Sequence, residues 1–276
     1  QDGIKNHWKS YYFSLLNETN PINVDFNADV VEGPIHVIKA EELREALKTM
    51  KRGKAAGPTG LTSEIILEAG DVGFQHLLSI CQEFWNTAVM PKDWCSSTTV
   101  PLYKGKGDPL NCASYRGIRL LEHGLKIIEK VIHRRLLGLL KIGNYQYGFM
   151  AGKSTIDAIF IMRQLQEKFC AKKLKLYHIF VDLEKAFDRV SRKAIVWSLR
   201  RQFVPERLIE LIMAMYHHTA TAVCTPCGVT SEFNINAGVH QCSILSPLLF
   251  ITVMEEVTKS IRSNDYCKLM YADDIV

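Results

Sequence analysis

The hydrophobic pattern changes period several times along the chain, and each change marks an element. Glu41 to Met50 sets Leu43 and Leu47 on one face and predicts a short amphipathic helix. Lys51-Arg52-Gly53-Lys54 ends it, and Gly57-Pro58-Thr59-Gly60 predicts a turn-rich loop. Thr62 reads as the cap of a second helix to Glu68, and Asp71 opens a third that ends near Pro91. Thr98 to Tyr103 is β-branched and apolar, which predicts a strand, and the loop 104–109 follows. Leu125 to Leu140 predicts a helix with basic residues on its exposed face. Thr155 to Phe169 predicts another, capped by Ser154 or Thr155. Leu176 to Leu183 is a short, mostly apolar run, the pattern of a buried strand. Helices are expected at roughly 191–202 and 205–218, with Pro205 in the first turn of the second. Residues 220–225 and 230–236 predict paired strands around Gly228, and Pro247 opens a helix to about Arg262. Cys267 to Tyr271 predicts a strand running into Asp273-Asp274, and Ile275-Val276 begins another.

Composition narrows the class. With 276 residues, 47% hydrophobic and 23% charged, the chain has enough apolar side chains for a core, which argues against disorder, collagen and coiled coil. The length suits one large domain or two modest ones. No apolar run reaches the roughly 18–20 residues of a membrane span. The longest candidate, Ile244 to Met254, contains Ser246 and Pro247. Gln1 to Ser10 is polar and charged, so no signal peptide is read there. A start at Gln rather than Met reads as a piece of a longer protein.

Charge is unevenly spread. Residues 1–99 carry 9 basic and 13 acidic side chains, residues 176–276 carry 10 and 11, and residues 100–175 carry 15 and 5. A basic excess confined to the middle is the footprint of a surface facing polyanions, most often nucleic acid, or else of a solvated basic face. The eight cysteines, at 81, 95, 112, 170, 224, 227, 242 and 267, are irregularly spaced and read as free thiols. Cys224 and Cys227 form a CxxC near His217, His218 and His240. Pro226-Cys227-Gly228 inside it reads as the turn of a hairpin rather than half of a zinc site.

The candidate chemistry lies in three carboxylates. Asp182 is expected at the end of the apolar strand Ile179-Phe180-Val181, and Asp273 and Asp274 at a tight turn between two short apolar strands. A carboxylate at a buried strand end is costly without a compensating cation. Two such carboxylates from separate strands suit a pair of Mg²⁺ ions that a substrate phosphate would complete. Asp-Asp is also a common turn sequence, and spacing alone does not make the two strands neighbours. Gly148 to Thr155 imitates a phosphate-cradling loop. GxxxxGK[ST] would need Gly where Tyr147 stands, with a strand before it, so that reading is rejected, although Lys153, Ser154 and Thr155 at a helix start can still meet a phosphate.

These residues carry a family resemblance. Phe180-Val181-Asp182-Leu183-Glu184-Lys185-Ala186-Phe187-Asp188-Arg189-Val190 resembles motif A of a reverse transcriptase, and Tyr271-Ala272-Asp273-Asp274 resembles its motif C. Gly238-Val239-His240-Gln241-Cys242-Ser243-Ile244-Leu245-Ser246-Pro247 resembles motif B. Val100 to Asp108 with Tyr115-Arg116-Gly117-Ile118, and Gln146 to Thr155, resemble the two fingers motifs. Their order is similar to non-LTR (LINE-type) retrotransposon polymerases, from about residue 50 onward and including Lys54 to Gly60.

The resemblance implies an α+β right-hand polymerase with fingers and palm, the palm an antiparallel sheet packed on helices. Residues 1–97 would be an N-terminal extension leading into the fingers, and 98–276 the reverse transcriptase domain. It implies RNA-directed DNA synthesis for retrotransposition, with two Mg²⁺ ions (or Mn²⁺) on Asp182, Asp273 and the supporting Asp274. Phe187 matches the steric gate that excludes a ribose 2′-OH. Arg116, Lys104 and Gln241 match contacts to the incoming dNTP, and Lys153 with Ser154 would meet the nucleic-acid backbone. The implied partners are an RNA template, a DNA primer or target, and dNTPs, with no membrane, in an intracellular and by resemblance nuclear setting. The thumb and any endonuclease domain are expected outside this chain, which would stop just past motif C and leave the palm sheet incomplete. Three departures stand out: Cys242 where motif B has Gly, Thr59 where Asp is usual, and Lys153 where Arg is common. The alternative reading is a non-catalytic nucleic-acid-binding relic of the same fold. An RNA-copying RNA polymerase is disfavoured by Phe187, and a Mg²⁺ phosphatase by the absence of a second Asp two residues after Asp182.

Overall fold

The main hydrophobic core is built largely from helices, and a mixed sheet shares a second apolar cluster with the N-terminal helix. The structure is a computed structural model and describes residues 1–18, 26–259 and 268–276. The helices are α1 (Asp2–Asn17), α2 (Ala40–Lys48), α3 (Ser63–Glu68), α4 (Gly70–Thr87), α5 (His123–Leu137), α6 (Thr155–Ala171), α7 (Ala186–Arg189), α8 (Arg192–Arg201), α9 (Glu206–Ala214) and α10 (Ser246–Val257). The strands are β1 (Ser96–Tyr103), β2 (Tyr115–Leu120), β3 (Ala220–Thr225), β4 (Gly228–Val229), β5 (Phe233–Asn234), β6 (Met270–Tyr271) and β7 (Asp274–Ile275). No described helix is long and apolar enough to cross a membrane.

The helices follow their sequence signals. α4 buries Phe74, Leu77, Leu78, Cys81, Phe84 and Trp85, a 3–4 residue spacing that makes one continuous face. α3 starts where expected, with the Thr62 hydroxyl accepting from the Ile65 N–H. α6 opens on Ser154, whose side chain and that of Asp157 cap each other's backbone N–H groups. α10 is buried nearly all round, including Glu255 and Glu256. Both acids are partnered: Tyr145 and the Gly143 N–H donate to Glu255, and Gln202 and Lys259 to Glu256. α10 ends at Val257, short of the expected Arg262, which itself lies outside the described residues.

The main sheet has the order β2-β1-β3-β4, with β5 on β3. β1 and β2 are antiparallel, joined by the 104–114 loop, but β1 and β3 run parallel from Ser96↔Ala220 to Thr99↔Val223. The main sheet is therefore mixed rather than antiparallel throughout, while the β6–β7 hairpin and its Val181–Ile275 pairing are antiparallel. A long helical crossover separates β1 from β3, and such a connection permits parallel pairing that a hairpin cannot. Cys224↔Val229 and Thr225↔Gly228 close the β3–β4 hairpin, so the CxxC straddles a turn as expected. Helix α1, which the hydrophobic pattern did not reveal, lies across this sheet. Its Tyr12, Leu15 and Leu16 form a satellite cluster with Val223, Phe233 and Ile235.

Two expectations fail for identifiable reasons. The basic residues of α5 do not form a free face. Arg135 grips Glu42 at 2.7–3.0 Å and two carbonyls of the preceding loop, over the ring of Trp85, and the Lys130 ammonium donates to the Thr49 carbonyl. These charges dock α2 and its C-terminal end, where a cation also complements the helix dipole. Likewise Leu176–Leu183 is not a buried strand. Only Val181 is paired, and Tyr177, Ile179 and Phe180 are 81%, 76% and 73% exposed. A strand exists only where a neighbour supplies a ladder, and this run meets just the two-residue β7.

Candidate active site

The Asp273-Asp274 pair sits on the β6–β7 hairpin. Met270↔Ile275 and Tyr271↔Asp274 pair, leaving Ala272 and Asp273 as a two-residue turn. Chain from two distant segments flanks this hairpin. On one side the Val181 N–H and C=O exchange 2.9 Å bonds with Ile275. On the other, the Tyr147 N–H donates to the Met270 carbonyl and the Met270 N–H to the Tyr145 carbonyl, both at 2.8 Å. The first contact continues one residue along: Asp182 follows Val181 as Asp274 precedes Ile275. The Asp182 carboxylate and those of the Asp273-Asp274 pair are thereby neighbours, and the Asp274 pKa is raised by burial and by the charges of Asp273 and Asp182. All three side chains are at least partly exposed, so the expected burial of Asp182 at a strand end does not hold; the exposed run before it leaves it open to solvent.

Whether this set suits Mg²⁺ rests on donor chemistry. It is all oxygen and anionic, and the charges of Asp273 and Asp182 add to burial in raising the pKa of Asp274, a repulsion that a divalent cation relieves. Among the described residues no three His, Cys, Asp or Glu side chains already enclose a point as a cage. Mg²⁺ sites that work on phosphates do not need one, since they take one or two carboxylates and complete the octahedron with water and phosphate oxygens. The residues fit.

Around the carboxylates stand the other sequence candidates. Phe187, at the start of α7, is half-buried, stacked on Phe250 with centroids 4.7 Å apart and edge-on to Phe149 at 5.9 Å. The Gln241 amide donates to both oxygens of Asp188 at 2.7 Å. Asp188 is buried; burial raises its pKa against the opposing pull of Arg119, Gln241, Lys185 and Lys104. Lys104, at the end of β1, donates to the Ala113 carbonyl at 3.0 Å, and Arg116 is exposed on β2. Lys153 donates to the Asn144 and Gln146 carbonyls at 2.8 and 2.9 Å and lies over the Tyr147 ring. Ser154 serves as the cap of α6. Thr59, at one of the departures, donates its hydroxyl to the buried Glu122 at 2.7 Å.

Three side chains were missed. Glu129 of α5 is 1% exposed; it accepts from the Ser243 hydroxyl at 2.6 Å and the Ile244 N–H at 3.1 Å, and so holds the motif B loop. Burial pushes its pKa up to about 7. Arg119, 3% exposed, lies in the electrostatic reach of Asp188 and has no partner for its Nε among the described residues. Gln146 is 1% exposed and accepts two backbone N–H groups beside the Asp273-Asp274 turn. Glu129 and Arg119 left no signal, because each lies in a run whose periodicity explains it as helix or strand. Gln146 sits inside a motif already singled out.

Comparison with known proteins identifies a family. Residues 104–276, more than half the chain, match the family described as "Reverse transcriptase (RNA-dependent DNA polymerase)". The chain is 26% identical over 251 residues to the "RNA-directed DNA polymerase from mobile element jockey" of Drosophila melanogaster, covering 87% of this chain and 27% of that protein. It is 26% identical over 267 residues to the "Transposon TX1 uncharacterized 149 kDa protein" of Xenopus laevis, covering 92% and 20%. A "Retrovirus-related Pol polyprotein from type-1 retrotransposable element R2" of Nasonia vitripennis is 25% identical over 247 residues, covering 87% and 23%. The chain thus spans about a quarter of the length of these relatives.

Proposed function

The chain belongs to the reverse transcriptase family, and from that premise we propose that it is the fingers and most of the palm of an RNA-directed DNA polymerase of a non-LTR retrotransposon. In this reading residues 1–97 lead into the fingers and 98–276 hold the polymerase domain. The observation that carries the reading is the Val181–Ile275 pairing, which sets Asp182 beside Asp273 and Asp274. Mg²⁺ bound there would supply Lewis-acid activation of the attacking oxygen and charge stabilisation of the leaving one.

The chain's own residues do the rest. Asp182 and Asp273 would hold the cations with oxygen ligands, and Asp274 would add negative charge. Phe187 is wedged between Phe250 and Phe149 and so cannot swing away from a ribose 2′-OH. Arg116 and Lys104 attract the triphosphate by charge, and Gln241, steadied by Asp188, borders the nascent base pair. Lys153 keeps one of its three N–H donors for the nucleic-acid backbone, beside Ser154 at the start of α6. Template sequence is read by base pairing, with the protein gripping backbones. The substrates are dNTPs, an RNA template and a DNA primer.

Primer extension on an RNA template tests this. Asp182→Asn and Asp273→Asn should each lower the rate by at least about 10²-fold while leaving template–primer affinity within about twofold. Equal binding with no Mg²⁺-dependent extension by the unmodified protein would instead support a nucleic-acid-binding relic.

A further inference from the structure

The Asp273-Asp274 turn is held from below by a side chain that no role yet accounts for. Gln146 is 1% exposed, and its Oε1 accepts the Ala272 N–H at 3.0 Å and the Gly148 N–H at 2.8 Å. Its backbone forms a parallel bridge with Met270, so the residue is fixed against the hairpin it bonds. Ala272 has φ +57, a left-handed conformation that a non-glycine residue adopts only when its surroundings impose it. Gly148 supplies the fit: a Cβ there would run into the Ala272 backbone. The Gln146 Nε2 is buried with no partner among the described residues, so the amide is held by what its oxygen accepts.

We propose that Gln146 is a positioning residue for the polymerase carboxylates. By clamping the Ala272 N–H it holds the turn in its left-handed conformation and thereby aims Asp273, the next residue, at the cation. This rests on the proposed polymerase function for its consequence, but not for its geometry. An acceptor is what the position requires, since two N–H groups converge on one oxygen. Gln146→Glu keeps an acceptor there and Gln146→Leu removes it at similar volume.

Hydrogen exchange of the metal-free protein, Mn²⁺ titration and primer extension separate the possibilities. In Gln146→Leu the Ala272 amide should exchange about tenfold faster, with α5 amides unchanged. Mn²⁺ affinity and the extension rate should fall about 10–100-fold, with template–primer affinity unchanged. Gln146→Glu should restore the Ala272 protection. If Gln146→Leu fails to fold, Gly148→Ala, whose Cβ would meet the Ala272 backbone, displaces the same turn from the Gln146 oxygen and should give the same pattern. Unchanged Ala272 exchange in the variant would overturn the clamp. Faster exchange with undiminished Mn²⁺ affinity would overturn its positioning role. If exchange and Mn²⁺ binding change as expected but no variant and no unmodified protein extends a primer, the clamp stands and the polymerase reading fails.

Discussion

At the scale of single residues, one position that holds the 238–245 loop and one within it are poised against their own chemistry. Glu129 is a carboxylate whose burial raises its pKa to about 7. A raised folded pKa means that the native state keeps a proton that the unfolded state has released. Stability from this group is therefore full below the unfolded value near 4.5 and is lost as pH rises through about 7. Gln mimics the neutral acid, so Glu129→Gln should flatten the decline of unfolding free energy between pH 5 and 7.5, measured by urea denaturation. Glu129→Leu should cost about 1–3 kcal/mol at pH 5 by stranding the Ser243 hydroxyl and the Ile244 N–H. Cys242 has φ +67, the conformation for which glycine has no Cβ penalty, and this gives the departure from the motif B pattern a physical cost. Cys242→Gly should stabilise by about 1 kcal/mol, whereas Cys242→Ala should leave the midpoint unchanged.

At the scale of elements, the proposed catalytic geometry depends on pairings too short for a periodicity to announce. β6 and β7 are two residues each, and the motif A segment contributes one bridged residue, Val181. The carboxylates meet because the Val181 N–H donates to Ile275, at a position that is 44% exposed and outside the main core. Val181→Pro removes that donor. It should reduce primer extension at least tenfold by separating Asp182 from Asp274. The thermal midpoint should move by only a few degrees, and a collapse of the fold would contradict the peripheral placement of this pairing. The run from Leu176 to Phe180 was legible as apolar but not as exposed. An apolar stretch states what it avoids, not what covers it.

At the scale of the whole molecule, the basic excess of residues 100–175 divides into two populations. Arg119 and Arg135 are spent inside the protein, one buried near Asp188 and the other gripping Glu42, whereas Arg116 and Lys106 face solvent. Only the second kind can displace counterions from a nucleic acid. Arg116→Ala should therefore lower the slope of log affinity against log salt for a template–primer by about 1, measured by fluorescence anisotropy. Lys130→Ala, which frees the Thr49 carbonyl, should leave the slope unchanged and destabilise the fold instead.

What the sequence determined by itself was whatever is encoded locally: α3 and α6 with their caps, the buried face of α4, the β3–β4 turn, and the identity of Asp182, Asp273 and Asp274 as candidate ligands, because capping, periodicity and motif spacing are properties of neighbouring residues. Tertiary structure alone decided that β1 runs parallel to β3, that the α5 cations are structural, and that Glu129 and Gln146 hold the loops of motifs B and C. Each of these is a contact between residues from about 80 to more than 120 positions apart. Such a contact exists only once burial has removed water as the competing partner for the same donors and acceptors.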